Sequence, residues 1–227
     1  ISKKAEKSDN VLMMCYVLRY APFYRRLKEI LDSGVIGDIM SIVHNENIGY
    51  YHFAHSFVRG NWGNEKESSP LILQKSCHDM DILLYLTGSQ PRSINSYGSL
   101  SYFKEGRQPK GAAARCLDCK FEETCIYSAP KFYGNLALSG WRLVVTEDKT
   151  DSGLEKALRE GPYGRCVWKC DNDVCDHQAI SIDFENDISA VFNLSAFSND
   201  IHRNIKIQGT KGEIIGDDLD GEIEVNL

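Results

Sequence analysis

The segment Gln74–Asp81 carries an amide, an amine, an imidazole and a carboxylate at spacings that a helix would gather. At 3.6 residues per turn, Gln74, Lys75, His78, Asp81 and Tyr85 share one face, while Leu73, Cys77, Met80, Leu83 and Leu84 fall on the other. Groups three and four positions apart reach one another and one small ligand. An imidazole titrates near neutrality, so His78 could take a proton from a substrate hydroxyl and return it, with Asp81 fixing its tautomer and raising its basicity. Lys75 would disfavour a protonated His78. It would either hydrogen-bond a substrate oxygen or pair with Asp79 at i, i+4 on the surface. The competing reading is an ordinary solvated face with a satisfied histidine.

The cysteines form a second group. Cys116, Cys119 and Cys125 spell C-x2-C-x5-C, Cys166 and Cys170 spell C-x3-C, and Cys175 and His177 lie just beyond. A C-x2-C turn aims two thiolates at one ion while backbone N–H groups support the sulfurs, as in tetrahedral zinc sites. The expectation is one structural zinc held by Cys116, Cys119 and Cys125, with a fourth thiolate from Cys166 or Cys170. In an extended strand those last two leave the same face, so five candidates stand for four places. An iron–sulfur cluster suits the same donors. Unligated thiols and disulfides are the remaining readings, the latter disfavoured in a reducing compartment. Cys175 is oddly spaced from Cys170 and reads as a free thiol; Cys15 and Cys77 read as core.

A third group is the segment HFAHSFVRGNWGN, His52 to Asn64. In a glycine-flanked loop, Arg59, Asn61 and Trp62 could grip a hydroxylated or anionic ligand, with the indole as a platform for a sugar ring. Aromatic loops also simply pack on sheets.

Around these groups the elements read as follows. Ser69 as N-cap, Pro70 at the first helical position and Gly88 as the stop frame a central helix of about five turns. Residues 1–10 resemble the end of a helix, and Val11 to Leu18 is a continuous apolar run that suits a strand buried on both faces. Ala21 to Ser33 is helical, Ile39 to Ile48 and Arg92 to Phe103 are strands, and residues 112–164 form an irregular, cysteine-rich insertion reaching to about residue 170. Ile180 to Phe184 and Ile188 to Ala196 alternate about a turn and predict a hairpin, with further strands around Ile205, Ile214 and Ile223. Helices early and strands late imply an α+β domain: a large, mostly antiparallel open sheet with helices on one face. Its late strands carry apolar residues on both phases of the alternation, which predicts a homo-oligomer formed through the sheet.

The 227 residues carry a net charge of −6, without the clustered Lys and Arg that phosphate binding needs, so no nucleic-acid partner is expected. No apolar run approaches the ~20 residues that cross a bilayer, and the start lacks the apolar core of a signal peptide, so no membrane partner and a cytoplasmic location are expected. The first residue is not Met and the last run stops within a strand pattern, so the chain reads as a piece of a longer protein.

Three stretches, LRYAPFYRRLKEILDSGVIGDI, SSPLILQKSCHDMDILLYLTG and GTKGEIIGD, together resemble the Gfo/Idh/MocA family of nicotinamide-dependent oxidoreductases, in order and across nearly the whole chain. The subgroup most resembled carries segments like HSFVRGNW, RCLDC and YGRCVWKCDNDV. The resemblance implies an N-terminal Rossmann domain, of which residues 1–18 would be the last helix and strand, and a C-terminal substrate and oligomerisation domain at residues 19–227. NAD or NADP would be held outside this fragment, since no G-x-G-x-x-G follows a strand here and no Glu-Lys-Pro segment is present. The implied activity is oxidation or reduction of a sugar, polyol or related alcohol, with His78, Lys75 and Asp81 catalytic and Gln74, Arg59, Asn61, Trp62 and Arg19 contacting substrate. The family's Asp-x-Gly-x-His pattern is broken here, because Gln74 stands at the Asp and Ser76 at the Gly; Gln cannot act as a base. NAD-dependent glycoside cleavage and a non-catalytic zinc-bearing assembly module are the alternatives.

Overall fold

A computed structural model describes residues 1–227. Seven strands form one sheet: β1 (Ile39–Asn47), β2 (Pro91–Ser99), β3 (His177–Phe184), β4 (Ser189–Ser195), β5 (His202–Gly209), β6 (Glu213–Asp217) and β7 (Glu222–Asn226), in the order β2-β3-β4-β1-β5-β6-β7. Only the β1–β4 pair is parallel; the other pairs are antiparallel, so the sheet is mostly antiparallel and open, as the alternation predicts. The hairpin of β3 and β4 aligns Ile180 with Phe192 and Ile182 with Ala190.

One face of the sheet is covered by helices α2 (Pro22–Asp32) and α5 (Cys77–Thr87). Tyr24, Leu27 and Leu31 from α2 and Ile82, Leu83 and Leu86 from α5 join Ile42, Phe192, Ile205 and Ile207 in a single core. Gly34 follows α2 at φ 70° and Gly88 caps α5 at φ 63°, left-handed positions that cost glycine least. The opposite face is open, with Val43, Val191 and Ile215 exposed in the middle of the sheet. Edge strand β2 is exposed almost throughout, so the covering helices stop short of it.

Four expected elements differ. Val11 to Leu18 forms no strand: residues 11–16 have no regular structure and no ladder partners, Val17–Tyr20 is a 3₁₀ turn, and Val11, Leu12, Met13 and Met14 are exposed. An apolar run becomes a buried strand only where neighbouring strands take its backbone groups, and none lies beside it. The expected loop after β1 is helical, with α3 (Tyr50–Phe53) running into a wide π-type turn at Ala54–Arg59. No Gly or Pro interrupts that run before Gly60. The central helix is broken into α4 (Leu71–Gln74) and α5, because the Ser76 N–H reaches back to the Leu71 carbonyl and Lys75 leaves ideal helical geometry at φ −118°. Pro70, rather than Ser69, occupies the position before its first turn.

The insertion is also more regular than its sequence predicts. It contains α6 (Ala129–Gly134), α7 (Ser139–Val145) and α8 (Asp151–Glu160), closed around its own small core of Cys116, Ala129, Tyr133, Leu154 and Leu158. With α1 (Ser2–Ala5), these are the helices of the chain, and none is long and apolar enough to cross a membrane.

Candidate functional site

The break between α4 and α5 decides where the polar groups point. Gln74 ends α4, and its side-chain amide donates to the carbonyls of Trp62 and Ser69, both at 2.9 Å. This anchors the loop bearing Trp62, whose indole is half exposed, beside the start of α5. Lys75, in the break, pairs with Glu46 on β1 at 2.7 Å; it does not pair with Asp79, which points the other way into the core.

His78 lies in the first turn of α5, half-buried, with the Tyr16 ring 6.3 Å away and nearly perpendicular. Burial lowers its pKa, and the Arg203 guanidinium adds to the effect against a smaller opposing pull from Asp79. The ring is therefore neutral at neutral pH, the form that accepts a proton. Asp81 does not orient it. Both Asp81 oxygens are taken by Arg19, at 2.5 and 2.6 Å, and Arg19 also lies over the Tyr85 ring. The expected His78–Asp81 pairing gives way because a guanidinium fork matches a carboxylate in two parallel bonds, which one imidazole N–H cannot equal. Arg19 is thus spent on tying the Val17–Tyr20 turn to α5.

Three enclosed polar atoms in this short stretch have no hydrogen-bond partner: Gln74 Oε1, Ser76 Oγ and His78 Nδ1. Buried polar atoms are ordinarily paired, so each of these is open to a partner from outside the chain. His52, on α3, adds a fourth such atom, Nδ1. Its pKa falls to about 4 through burial and then the charge of Lys75, so it too is neutral. His52 belongs with this group; its place in a run that reads as a loop concealed it.

Beneath the helix lies a charge cluster. Asp79, fully buried, accepts from His44 Nε2 at 3.0 Å and from Arg203 Nε at 2.8 Å. Arg203 also pairs with Glu46, directly across the β1–β5 ladder. Burial alone would raise the Asp79 pKa, but the bonds from His44 and Arg203 outweigh it and hold the group down to about 2. Glu46 moves the other way, raised by burial and by Asp79. The signal was present in the sequence: His44 and Glu46 keep phase with Ile42 and Ile48, and Arg203 keeps phase with Ile205 and Ile207, so the alternation itself assigns these charges to the interior.

The remaining candidates lie elsewhere. Arg59 is buried and turned away from His78: it donates to the Arg165 carbonyl at 2.8 Å, the Tyr127 carbonyl at 2.6 Å and the Cys116 sulfur at 3.4 Å. The π-type turn that carries it faces the insertion. Asn61 is exposed and borders a shallow pocket with Arg59, Asn64 and Arg165. Cys116, Cys119, Cys125 and Cys166 do come together on one cavity, whereas Cys170 lies behind it and donates to the Cys166 carbonyl at 3.4 Å. No three His, Cys, Asp or Glu side chains are placed to hold one metal ion. The single four-thiolate zinc site expected from the spacing is therefore not supported: the cysteines line one cavity without three of them converging as ligands. Burial raises the Cys125 and Cys166 thiols and pushes Cys170 up to about 11.

The sheet is not of the doubly wound parallel kind. It has one parallel strand pair, no strand–glycine turn–helix unit and no G-x-G-x-x-G.

Residues 28–225 match the family described as "Oxidoreductase family, C-terminal alpha/beta domain" (Gfo/Idh/MocA). Over 214 residues the chain is 24% identical to "Putative oxidoreductase YteT" of Bacillus subtilis, covering 92% of this chain and 48% of that protein. A levoglucosan dehydrogenase solved with NADH and levoglucosan superposes with a TM-score of 0.59 at 15% identity, over 95% of this chain and 42% of that one. A super-repressor mutant of Gal80p from Saccharomyces cerevisiae superposes with a TM-score of 0.58 at 18% identity, over 100% and 49% of the two chains. At these identities the structural likeness is one of fold, and the chain spans about half the length of YteT. Because the sequence match runs through nearly all of the open sheet and its covering helices, the chain belongs to the Gfo/Idh/MocA oxidoreductase family as a C-terminal α/β domain.

Proposed function

We propose that this domain binds a sugar, polyol or related alcohol beside the α4–α5 break, in a protein whose NAD or NADP is held by a preceding Rossmann domain. Residues 1–18 would be the end of that domain and residues 19–227 the substrate domain. The exposed apolar residues of 11–14, left without strand partners, fit a segment that completes a sheet elsewhere. The observation that carries the reading is the neutral, half-buried His78 with an enclosed ring nitrogen that has no partner, set beside the orphaned Gln74 oxygen.

In this arrangement His78 takes the proton of the substrate hydroxyl during oxidation and returns it in the reverse direction. Burial and the Arg203 charge keep His78 neutral, with a smaller contribution from Lys75, whose ammonium, backed by Glu46, hydrogen-bonds a substrate oxygen. Gln74 accepts from a hydroxyl through Oε1, and the Trp62 indole offers an apolar platform for the ring. Asp81 acts at a distance, by holding Arg19 against α5. Free thiols at all eight cysteines accord with a reducing, cytoplasmic setting.

His78→Ala in the full-length protein should lower kcat by a hundredfold or more with little change in KM, as for a lost general base. Steady-state turnover of NAD(P) against a panel of sugars and inositols reads this directly. Near-normal turnover by the variant would overturn the assignment of His78, and sugar binding without any turnover by the wild type would overturn the enzymatic reading.

The same proposal includes assembly through the open face of the sheet. Val43, Val191 and Ile215 lie there at about 40% exposure around a ladder of Asn45, Asn193 and Asn204. A second copy of the domain, laying the same face against it, would cover residues that the helices leave bare. Sedimentation should show a dimer or larger species at tens of micromolar, and Val191→Lys should dissociate it; a wild-type monomer would rule it out.

A further inference from the structure

We propose that Ser99, His177 and Asp176 form a hydrolytic triad at the outer end of the sheet, acting on small aryl esters through an acyl-serine. Strand pairing brings the first two together. Ser99 ends β2 and lies directly opposite His177, the first residue of β3, in the antiparallel register. Opposed residues of a ladder share a face, and His177 keeps the phase opposite to Ile180 and Ile182. Both side chains are therefore exposed on the face away from α5, and the site is separate from the one beside His78. Strand β2 is the outermost strand, three places from β1, which puts the site at the rim of the open face and Val43 at its middle.

The distances assign each role. The Ser99 hydroxyl is 3.3 Å from His177 Nε2, and His177 Nδ1 is 2.7 Å from Asp176 Oδ1. A carboxylate only accepts, so the neutral ring carries its proton on Nδ1 and offers Nε2 as the acceptor towards Ser99. The longer distance is at the loose end for a nucleophile and its base, as is common before substrate binds. Asp176 cannot turn away. It is fully buried, its Oδ2 accepts the N–H groups of Ser101 at 3.0 Å and Tyr102 at 2.7 Å, and its Oδ1 accepts the Ser101 hydroxyl at 3.3 Å. The turn after β2 thus fixes the carboxylate, the carboxylate fixes the imidazole, and the imidazole faces an exposed hydroxyl. A cross-strand Ser–His pair alone needs no buried anion on the far ring nitrogen; a general base held in one tautomer does.

In the first step His177 Nε2 takes the Ser99 proton as Oγ bonds to the ester carbonyl carbon. The adduct collapses, the bond from that carbon to the phenolic oxygen breaks, and the leaving phenolate takes the proton from His177. Water then enters in the same way: His177 removes its proton, its oxygen bonds to the acyl carbon, the acyl–Oγ bond breaks, and Ser99 regains the proton as a carboxylic acid leaves. Tyr97, exposed on the same face of β2, stands opposite Ala179, and the small side chain leaves a depression of about 500 Å³ between Tyr97, His177 and Asn193. The Tyr97 ring offers a stacking surface for an aryl group. The depression is shallow and open, and it does not enclose an oxyanion, for which a single donor is worth about 10²–10³ in rate. That confines the reaction to esters with a good leaving group and a small acyl chain, and excludes amides.

The test uses the full-length protein with 4-nitrophenyl acetate as the probe. The wild type is expected to release 4-nitrophenolate, Ser99→Ala and His177→Gln should each slow the release by about tenfold or more, and mass spectrometry of acid-quenched wild type should place the acetyl group on Ser99. Both substitutions are at exposed positions, so both variants should fold, which circular dichroism checks. An undiminished rate in folded Ser99→Ala would overturn the proposal, because the imidazole or another group would then act without the serine. So would an acetyl group found on a cysteine instead of Ser99, or a wild-type rate no higher than that of the two variants.

Discussion

Two buried guanidinium groups organise this domain, and their surroundings are opposite in kind. Arg203 lies between two carboxylates, Asp79 and Glu46, with His44 completing the cluster and Lys75 closing it from above. Arg59 has no carboxylate; its partners are two backbone carbonyls and a cysteine sulfur. In the first cluster the cation is matched by carboxylates already present, so it forms a charge-balanced floor beneath α5. The second holds its cation by backbone carbonyls and a thiol alone.

That contrast is most sharply tested by removing each cation in turn. Arg203→Leu strands two carboxylates inside the core and should cost about 3–5 kcal/mol in denaturant unfolding, as when one partner of a buried ion pair is lost. Arg59→Leu leaves only carbonyls and a thiol unpaired and should cost less, about 1–3 kcal/mol. An equal loss from both would abolish the distinction.

A smaller effect should appear with pH. Asp79 is held at about 2 in the folded chain, below the ~3.9 of an unfolded aspartate. Its contribution to stability is therefore complete above the unfolded value and is lost as pH falls towards 2. Glu46 has the opposite sign, since its raised pKa gives a contribution present below its unfolded value and lost as pH climbs through the folded one. Unfolding measured from pH 2 to 5 should be steeper for wild type than for Asp79→Asn; identical slopes would show that Asp79 is not the group responsible.

The sequence was most legible where one period governed the burial. In β3 and β4 every second residue faces the core, and the hairpin follows from Ile180, Ile182, Phe192 and Leu194 alone. Helix α2 follows in the same way from Tyr24, Leu27 and Leu31. Around α5 the same logic failed, because its buried face holds Asp79 and Asp81 alongside Ile82, Leu83 and Leu86. Apolarity therefore did not mark the inward side, and Leu73, assigned inward by polarity, is exposed. His78 and Gln74 were visible as chemistry-bearing residues. Their partners were not, since Lys75 with Glu46 and Asp81 with Arg19 are contacts between elements far apart in the chain. The grouping of Cys116, Cys119, Cys125 and Cys166 was legible from spacing, but how far apart they lie depends on how the insertion folds on α3 and the turn after it.

That turn has a consequence for how the chain tolerates change. Between Ala54 and Arg59 the coil holds more residues per revolution than an α-helix, and nearly all of them are buried. Ala54, Phe57 and Val58 lock into the main core, while His55 bonds Tyr133 and Arg59 bonds Cys116 on the insertion side. The surplus residue works as a gear change that keeps both sets in mesh. Deleting one codon here would wind the coil back to ordinary pitch and swing everything beyond it by about 100°, disengaging one core from the other without altering any residue that either core contains.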